Sequence, residues 1–243
     1  MAQVEVCGAL RLFPEASKIS PCSLCLPAQI GSTLSVLCVK FFPLDFVVRS
    51  LKQMRVIAGK YRSRILKSLK GLALRPTSDR LRETLFNVLA PNIAGARFVD
   101  LFAGTGAIGI EALSRGAAEV VFIENHAPAV TLIRRNLESL GINSGATVLA
   151  VDALRGLALL STRKMEAAPG FDYVFLDPPY AAAEDYSRVL EFLGSAELLA
   201  PSGILIAEHR RNFDLPEEFG ALERFRVLKQ GDAALSFYRR LPL

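Results

Sequence analysis

The spacing of apolar residues changes near residue 54 of this 243-residue chain. Residues 1–53 mix apolar clusters with prolines and show no steady period. From Met54 onwards, short apolar runs alternate with segments whose apolar residues recur every three or four positions, which indicates strands alternating with amphipathic helices. Residues 1–53 are therefore either an appended domain or a targeting or upstream-translated segment with Met54 as the functional start. We favour the second interpretation.

The pattern after residue 97 predicts a mostly parallel β-sheet covered by helices on both faces. Helices are expected over 108–114, 128–140 and about 186–193. The expected strands are 98–102, 120–124, 148–151, 173–176 and 204–207, followed by a hairpin of 225–229 and 234–238. We therefore predict an α/β, Rossmann-like fold in which a mostly parallel seven-stranded sheet ends in an antiparallel hairpin.

The segment 54–91 is expected to form a short hairpin followed by a helix, in front of a main domain at 92–243. Two apolar runs, 55–59 and 65–66, flank a basic turn at 60–64. Leu81, Leu85 and Leu89 have helical spacing, and Thr77 or Ser78 is a natural N-cap.

Positive charge is concentrated in this same segment. The chain carries a formal net charge of +5, and nine Lys or Arg residues against a single acid, Asp79, lie between Arg55 and Arg82. This excess favours contact with a polyanion, although a basic stretch is also typical of a solvated surface.

The four cysteines all fall within the first 40 residues. The Cys22-x-x-Cys25 pair has the spacing of half a zinc site, but the other two cysteines are single, so we expect free thiols and no bound metal. The most apolar run, 30–48, is interrupted by Lys40, Pro43 and Asp45, so we expect no membrane span. These features predict a cytoplasmic protein.

The first predicted strand leads into a glycine-rich turn. Gly104, Gly106 and Gly109 have the G-x-G-x-x-G spacing, and Glu124 follows twenty residues later at the end of the next strand. Glycines let the backbone approach a ligand closely, and an acid at the second strand can bind ribose hydroxyls. The sequence therefore predicts a nucleotide-type cofactor.

Two acids favour S-adenosylmethionine over a nicotinamide cofactor. Asp100, just before the glycines, is placed to meet a cationic amino-acid group, and Asp152 at the end of the third strand could accept a hydrogen bond from an adenine amine. Neither His126 nor His209 has the surroundings of a hydride-transfer site.

The fourth strand ends in Asp177-Pro178-Pro179-Tyr180, the most specific motif in the chain. An exocyclic base amine is a poor nucleophile because its lone pair is delocalised into the ring. A carboxylate and a backbone carbonyl, held by rigid prolines, can accept hydrogen bonds from the amine and direct its lone pair towards a methyl donor. Tyr180 offers a face for stacking an unpaired base.

Three motifs together resemble the bacterial small-subunit ribosomal RNA guanine-N2 methyltransferase family. They are the string Arg75–Asn87, which is the discriminating one, the turn Asp100–Gly109, and the tetrapeptide Asp177–Tyr180. Met54–Arg64 resembles the amino terminus of that family, and the likeness extends to Arg240. The resemblance implies a class I methyltransferase sheet preceded by a short N-terminal hairpin and helix.

The resemblance also implies the residues that bind the cofactor, S-adenosylmethionine. Asp100, Gly104 and Gly106 would hold its methionine part, Glu124 its ribose, and Asp152 with Ala153 its adenine edge. Phe102, Thr105 and Asn125 would complete this cofactor site.

The family methylates the N2 of one guanine on a partly assembled particle, and we expect the chain to act as a monomer. Asp177, Pro178, Pro179 and Tyr180 would hold the guanine amine. Phosphate contacts would come from the basic residues of the N-terminal segment, namely Lys60, Arg62, Arg64, Arg75, Arg80 and Arg82.

Two other functions remain open. The same tetrapeptide serves DNA methyltransferases that modify adenine N6 or cytosine N4, although no separate target-recognition domain is visible here. The second alternative is a catalytically silent RNA-binding assembly factor that retains the fold. Intact Glu124 and Asp177 argue against that alternative.

Overall fold

The structure of the protein is a computed structural model, which describes residues 54–68, 78–164, 170–179 and 183–241. The four cysteines, Arg75, Thr77 and Tyr180 lie outside these residues, so the expectations made for them stay predictions.

Five helices and eight strands make up the described part of the chain. The helices are α1 (Asp79–Leu89), α2 (Ala107–Ser114), α3 (Ala127–Ser139), α4 (Ala153–Lys164) and α5 (Ala183–Ser195). The strands are β1 (Arg97–Leu101), β2 (Glu119–Ile123), β3 (Ala146–Leu149), β4 (Phe171–Leu176), β5 (Leu199–Arg210), β6 (Glu218–Phe219), β7 (Leu222–Gln230) and β8 (Ala233–Arg240).

All eight strands form one sheet, in the order β3-β2-β1-β4-β5-β8-β7-β6. β3, β2, β1, β4 and β5 are parallel, whereas β8 runs antiparallel to both β5 and β7. The predicted fold class is therefore confirmed. The expected number of seven strands is corrected to eight, because the two-residue strand β6 pairs with the start of β7.

Helices cover both faces of this sheet, as a parallel sheet with two apolar faces requires. One core layer packs α1, α2 and α3 against residues such as Phe98 and Phe175, and the other packs α4 and α5 against Val99 and Val174. Burying both faces leaves the carboxyl edge of the parallel strands as the place where loops and polar side chains collect.

The predicted N-cap of α1 is confirmed at Ser78, whose hydroxyl oxygen accepts a hydrogen bond from the amide of Leu81 at 3.1 Å. The N-terminal hairpin is shorter than expected. Its strands are reduced to one antiparallel bridge between Arg55 and Ile65.

Glu111 of α2 fixes the hairpin to the main domain. This side chain is fully buried, and its two oxygens accept hydrogen bonds from the amides of Ile57 (2.7 Å) and Ala58 (3.0 Å). Arg115 on the next helical turn donates to the same carboxylate at 2.8 Å. A buried carboxylate requires such partners, and here the backbone of the hairpin supplies two of them.

The hairpin also packs tightly against the end of α2. The amide of Lys60 donates to the carbonyl of Ser114, and the amide of Tyr61 donates to the Ser114 hydroxyl. Gly59 has a φ of +81°, and a Cβ at this position would collide with the Ser114 backbone. Only glycine can therefore bring the chain this close to the helix.

The helix α4 is absent from the sequence prediction. Gly156 interrupts its helical pattern, and a glycine within a helix weakens a prediction that rests on local sequence. The structure gives the reason for this residue, since a Cβ at Gly156 would meet the side chain of Ile123 on β2 at 2.7 Å.

Within the described residues, no helix has the length and apolar character needed to cross a membrane.

Candidate active site

Four acidic side chains lie at or near the carboxyl edge of the parallel strands. They are Asp100 on β1, Glu124 after β2, Asp177 after β4 and Glu208 near the end of β5. The strands that carry them are consecutive in the sheet, in the order β2-β1-β4-β5. Three of these acids were expected at the site from the sequence, and Glu208 was not.

The glycine-rich turn between β1 and α2 uses backbone conformations that favour glycine. Gly104 has a φ of +56° and Gly106 a φ of +75°. A Cβ at Gly109 would collide with the ring of Phe122 on β2, so this glycine permits close packing of α2 on the sheet. The turn thus brings glycine backbone to the start of a helix, the arrangement that binds nucleotide-type cofactors.

Phe102 in the same turn also has a left-handed backbone, with a φ of +58°. A non-glycine residue in this region is strained, and such strain is concentrated at functional sites. Thr105 is held by two contacts: its hydroxyl donates to the Met54 sulfur at 3.4 Å, and its carbonyl accepts from the Asn136 side chain at 3.0 Å.

Asn136 of α3 connects the glycine-rich turn to the N-terminal hairpin. Its side chain is fully buried, accepts from the amide of Lys67 at 2.9 Å, and donates to the carbonyls of Lys67 and Thr105. This role could not be predicted from the sequence, because a polar residue in a helix is usually exposed.

Asp100 is buried beneath the turn, and its Oδ2 accepts a hydrogen bond from the Gly109 amide at 2.9 Å. Burial raises the pKa of this carboxyl to about 8, and the charge of Glu124 adds to the rise, while the Gly109 hydrogen bond opposes it. A cationic group bound nearby would stabilise the ionised form.

Glu124 is partly buried and bridges two loops. Its Oε2 accepts from the Gly104 amide and its Oε1 from the His126 amide, both at 2.8 Å. These bonds fix the carboxylate beside the turn and leave lone pairs for a further donor. The following residue, Asn125, is exposed.

Asp152 is exposed and caps α4, since its Oδ1 accepts from the amide of Arg155 at 3.0 Å. Ala153 is buried at the start of that helix. Asp152 therefore has a structural role as a cap in addition to the expected cofactor contact, and its second oxygen is not used in the cap.

Asp177 follows β4, with Pro178 buried and Pro179 exposed. Burial raises the pKa of Asp177 well above its ordinary value, and the charges of Glu208 and Asp100 raise it further. No hydrogen bond between described residues uses the Asp177 side chain.

Glu208 lies beside Asp177 because of the register of the sheet. Leu176 pairs with Ala207, so Asp177 and Glu208 each come directly after this pair. Glu208 is only 4% exposed. In the sequence, the sign of a role for Glu208 was an acid directly after the apolar run 204–207. The pairing of this strand with the one that carries Asp177 could not be read from the sequence.

The basic residues expected to contact phosphate fall into two groups. Lys60, Arg62, Arg64 and Arg80 are exposed. Arg82 is fully buried, forms an ion pair with Asp79 at 3.1 Å and donates to the carbonyl of Arg55. The prediction that Arg82 contacts phosphate is therefore wrong in this arrangement, because its guanidinium is buried and hydrogen-bonds α1 to the hairpin.

The residues present fit S-adenosylmethionine. A turn of glycines with positive φ offers the close backbone approach, and a buried carboxyl with a raised pKa lies beneath it, where a cation would lower its energy. Among the described residues, no cluster of potential metal ligands occurs.

The raised pKa of Asp100 predicts pH-dependent cofactor binding. Below about pH 8 the free protein holds this carboxyl mostly protonated, so binding of a cationic cofactor to the ionised form must release a proton. Affinity for S-adenosylmethionine should therefore rise as pH increases, by up to about tenfold per unit between roughly pH 6 and 8, and level off above. Calorimetry in buffers of different ionisation enthalpy measures both affinity and proton release.

The matched control for this prediction is Asp100→Asn, which keeps an acceptor for the Gly109 amide and removes the titrating group. In this variant only the titration of the cofactor itself can change the affinity with pH. Its affinity for S-adenosylmethionine should therefore depend less steeply on pH than that of the wild type. Equal slopes for the variant and the wild type would remove Asp100 from the cation site.

Comparison with known proteins identifies the family. Residues 54–239 match the family described as "Conserved hypothetical protein 95". The chain is 36% identical to the "Putative rRNA methyltransferase YlbH" of Bacillus subtilis over 187 residues, which cover 77% of this chain and 99% of that protein. It is also 36% identical to "Ribosomal RNA small subunit methyltransferase D" of Escherichia coli over 190 residues, which cover 77% of this chain and 90% of that protein.

A solved structure shares this fold. The "Putative methyltransferase yhhF from Escherichia coli" superposes with a TM-score of 0.67 at 31% identity and covers 79% of this chain and 99% of its own. The family match extends over most of the sheet, the helices and every acid of the site. The chain therefore belongs to the family described as "Conserved hypothetical protein 95", and its curated relatives include small-subunit ribosomal RNA methyltransferases.

Proposed function

We propose that this chain transfers a methyl group from S-adenosylmethionine to the exocyclic N2 of a guanine in small-subunit ribosomal RNA. The observation that carries the proposal is the position of Asp177-Pro178-Pro179 after β4, on the same sheet edge as the glycine-rich turn after β1. β1 and β4 are adjacent parallel strands, so a methyl donor bound at the turn would lie next to acceptors for an amine.

The coarser part of this function follows from family and fold. The chain is an S-adenosylmethionine-dependent methyltransferase of small-subunit ribosomal RNA, since its relatives carry that name and its sheet is that of class I methyltransferases. The choice of guanine N2 is the finer proposal. It is supported by the motif chemistry and by the sequence resemblance.

S-adenosylmethionine supplies an electrophilic methyl group on a sulfonium. Asp177 would accept a hydrogen bond from one hydrogen of the target amine, and the carbonyl of Pro178 would accept from the other. These two bonds direct the nitrogen lone pair towards the methyl carbon. The prolines fix φ and hold the acceptors before the substrate arrives.

Asp177 is also suited to receive the proton that the amine loses. Nucleophilic attack forms the new N–C bond, breaks the bond between the methyl carbon and sulfur, and leaves a positive charge on nitrogen until a proton departs. Because burial and the charges of Glu208 and Asp100 raise the pKa of Asp177, its carboxylate is a stronger base than an exposed aspartate.

The cofactor residues follow the same logic. Asp100 would meet the cationic methionine part, the backbone of Gly104 and Gly106 would lie against it, and Glu124 would bind the ribose hydroxyls. Asp152, through the oxygen that does not cap α4, would accept from the adenine amine. The strained turn around Phe102 supports a ligand site at this point.

The RNA surface would consist of the exposed cations Lys60, Arg62, Arg64 and Arg80. Lys60 lies 5.3 Å from the ring centroid of Tyr61, which orders one of these side chains. The buried contacts of Glu111 and Asn136 hold this hairpin against the methyltransferase domain. We propose a partly assembled small subunit as the substrate and the cytoplasm as the site of action, with the protein acting as a monomer.

Substitutions of Asp177 test the proposed role of the motif. Asp177→Ala removes the acceptor and should lower single-turnover methylation by roughly 10²–10³-fold, the usual effect of deleting one preorganised transition-state hydrogen bond. Asp177→Asn keeps one acceptor oxygen and should retain more activity. Rapid-quench measurements with labelled cofactor give these rates.

Cofactor affinity, measured in parallel, is the control for both Asp177 variants. It should stay near the wild-type value, because the residue faces the base. Near-normal turnover of the Ala variant would contradict the role, and a loss of affinity equal to the loss of rate would move Asp177 into the cofactor site.

Neutralising the hairpin tests the RNA surface. Replacing Lys60, Arg62 and Arg64 with Gln should weaken RNA binding and flatten its log–log salt dependence by up to about 0.7 per lost contact on single-stranded RNA. Filter binding over a salt series measures the slope. The exposed cations of α3, Arg134 and Arg135, provide a control pair, and its effect on the slope is compared per charge removed. An unchanged slope for the hairpin variant would leave the basic turn as a solvated surface.

A further inference from the structure

A cavity of about 200 Å³ opens beside the site, between the start of α1, the end of β5 and the turn that joins β7 to β8. An apolar cavity of about 150 Å³ is enough to hold a benzene ring, so this space has room for the edge of a nucleobase. Glu208, Gln230 and Arg80 are among its lining residues.

Sheet register places two of these side chains on one face. Glu208 pairs with Leu235, Arg210 pairs with Ala233, and Ala233 also pairs with Gln230. Since side chains alternate between faces along a strand, Glu208 and Gln230 point to the same side of the sheet. Asp177, one step beyond the Leu176–Ala207 pair, is level with Glu208 at this edge.

The cavity has two hydrogen-bond acceptors in its wall. Glu208 contributes a carboxylate that is almost completely buried. The side-chain oxygen of Gln230 is buried and has no hydrogen-bond partner among the described residues. A buried polar atom left unsatisfied costs free energy, so a ligand that donates to it would be favoured.

We propose that this cavity binds the Watson–Crick edge of the target guanine, with Glu208 accepting a hydrogen bond from N1–H. This inference rests on the proposed function and names the residue that selects the base. Guanine has two adjacent donors on this edge, N1–H and the N2 amine, which would donate to Glu208 and Asp177. Adenine and cytosine each place a ring nitrogen lone pair beside their amine, and the Glu208 carboxylate would repel it.

The cavity lies where the proposed position of the target amine would place the rest of the base. Asp177 is level with Glu208, so an amine held by Asp177 would have its neighbouring ring nitrogen near Glu208. Arg80 is exposed and lines the same cavity, where its guanidinium can meet the phosphate of the bound nucleotide. The cavity thus has a cation of the basic surface and the neighbour of Asp177, Glu208, in its wall.

A base analogue provides a specific test. 2-Aminopurine keeps the amine at position 2 but carries a lone pair at N1 in place of N1–H. The target guanine, once mapped by nucleoside analysis, is replaced by 2-aminopurine in small-subunit RNA through ligation of a synthetic segment. The RNA is used free or reconstituted with subunit proteins, whichever form the wild type methylates. Single-turnover rates on the two RNAs give a preference ratio.

The wild type should prefer guanine over 2-aminopurine by roughly 10- to 100-fold, the equivalent of one charge-assisted hydrogen bond. Glu208→Gln should lower this ratio by about tenfold or more, because the amide can donate to the N1 lone pair of the analogue. Affinity for S-adenosylmethionine should not change. Glu191→Gln, an exposed substitution on α5, is the matched control and should keep the wild-type ratio.

The outcomes separate the inference from the proposed function. A ratio unchanged in Glu208→Gln, with rates on both RNAs reduced equally, would make Glu208 a structural residue and overturn the inference alone. Should that variant fail to bind cofactor, Gln230→Ala decides: loss of roughly 2- to 10-fold on guanine RNA supports the cavity, and an unchanged rate overturns it. A wild type that leaves every guanine unmethylated overturns the proposed function, and this inference with it.

Discussion

The free-energy cost of burying three carboxyl groups at one edge of the sheet decides which ligands the site favours. These groups belong to Asp100, Asp177 and Glu208. Each comes from a strand of the central parallel group, so the register of that group determines their separation. Burial raises the pKa of Asp100 and of Asp177. The charge of Glu124 adds to the rise for Asp100, and the charges of Glu208 and Asp100 add to it for Asp177. A ligand that brings a positive charge and hydrogen-bond donors to this edge would relieve that cost, which S-adenosylmethionine and a guanine amine together do.

The N-terminal hairpin is coupled to the same site through buried side chains. Glu111 holds the hairpin backbone from α2, and Asn136 joins Lys67 of the hairpin segment to Thr105 of the glycine-rich turn. The exposed cations of the hairpin, which would contact RNA, therefore lie on a segment that is hydrogen-bonded to the glycine-rich turn through Asn136. A rigid connection of this kind can set the orientation of a large RNA relative to the methyl donor.

Sequence predicted the features that depend on local spacing and missed those that depend on distant packing. The glycine-rich turn and the acids at strand ends were predicted because each motif is contiguous with its strand. The burial of Arg82 could not be predicted, since it depends on Asp79 and on a carbonyl 27 residues away at Arg55.

Glu208 and the helix α4 were missed for related reasons. Glu208 gains its meaning only when β5 is placed beside β4, because that pairing brings it level with Asp177. The glycine at 156 obscures α4 in the sequence, yet the close approach of this helix to Ile123 requires it.

The most direct test is methyl transfer from labelled S-adenosylmethionine to small-subunit ribosomal RNA, free and partly assembled, followed by digestion and separation of the nucleosides. We expect the label in N2-methylguanosine. Label in N6-methyladenosine or N4-methylcytidine would contradict the choice of base, since the same Asp177-Pro178-Pro179 chemistry serves those amines. RNA binding without any transfer of label would indicate a catalytically silent assembly factor and would contradict the assignment of methyltransferase activity.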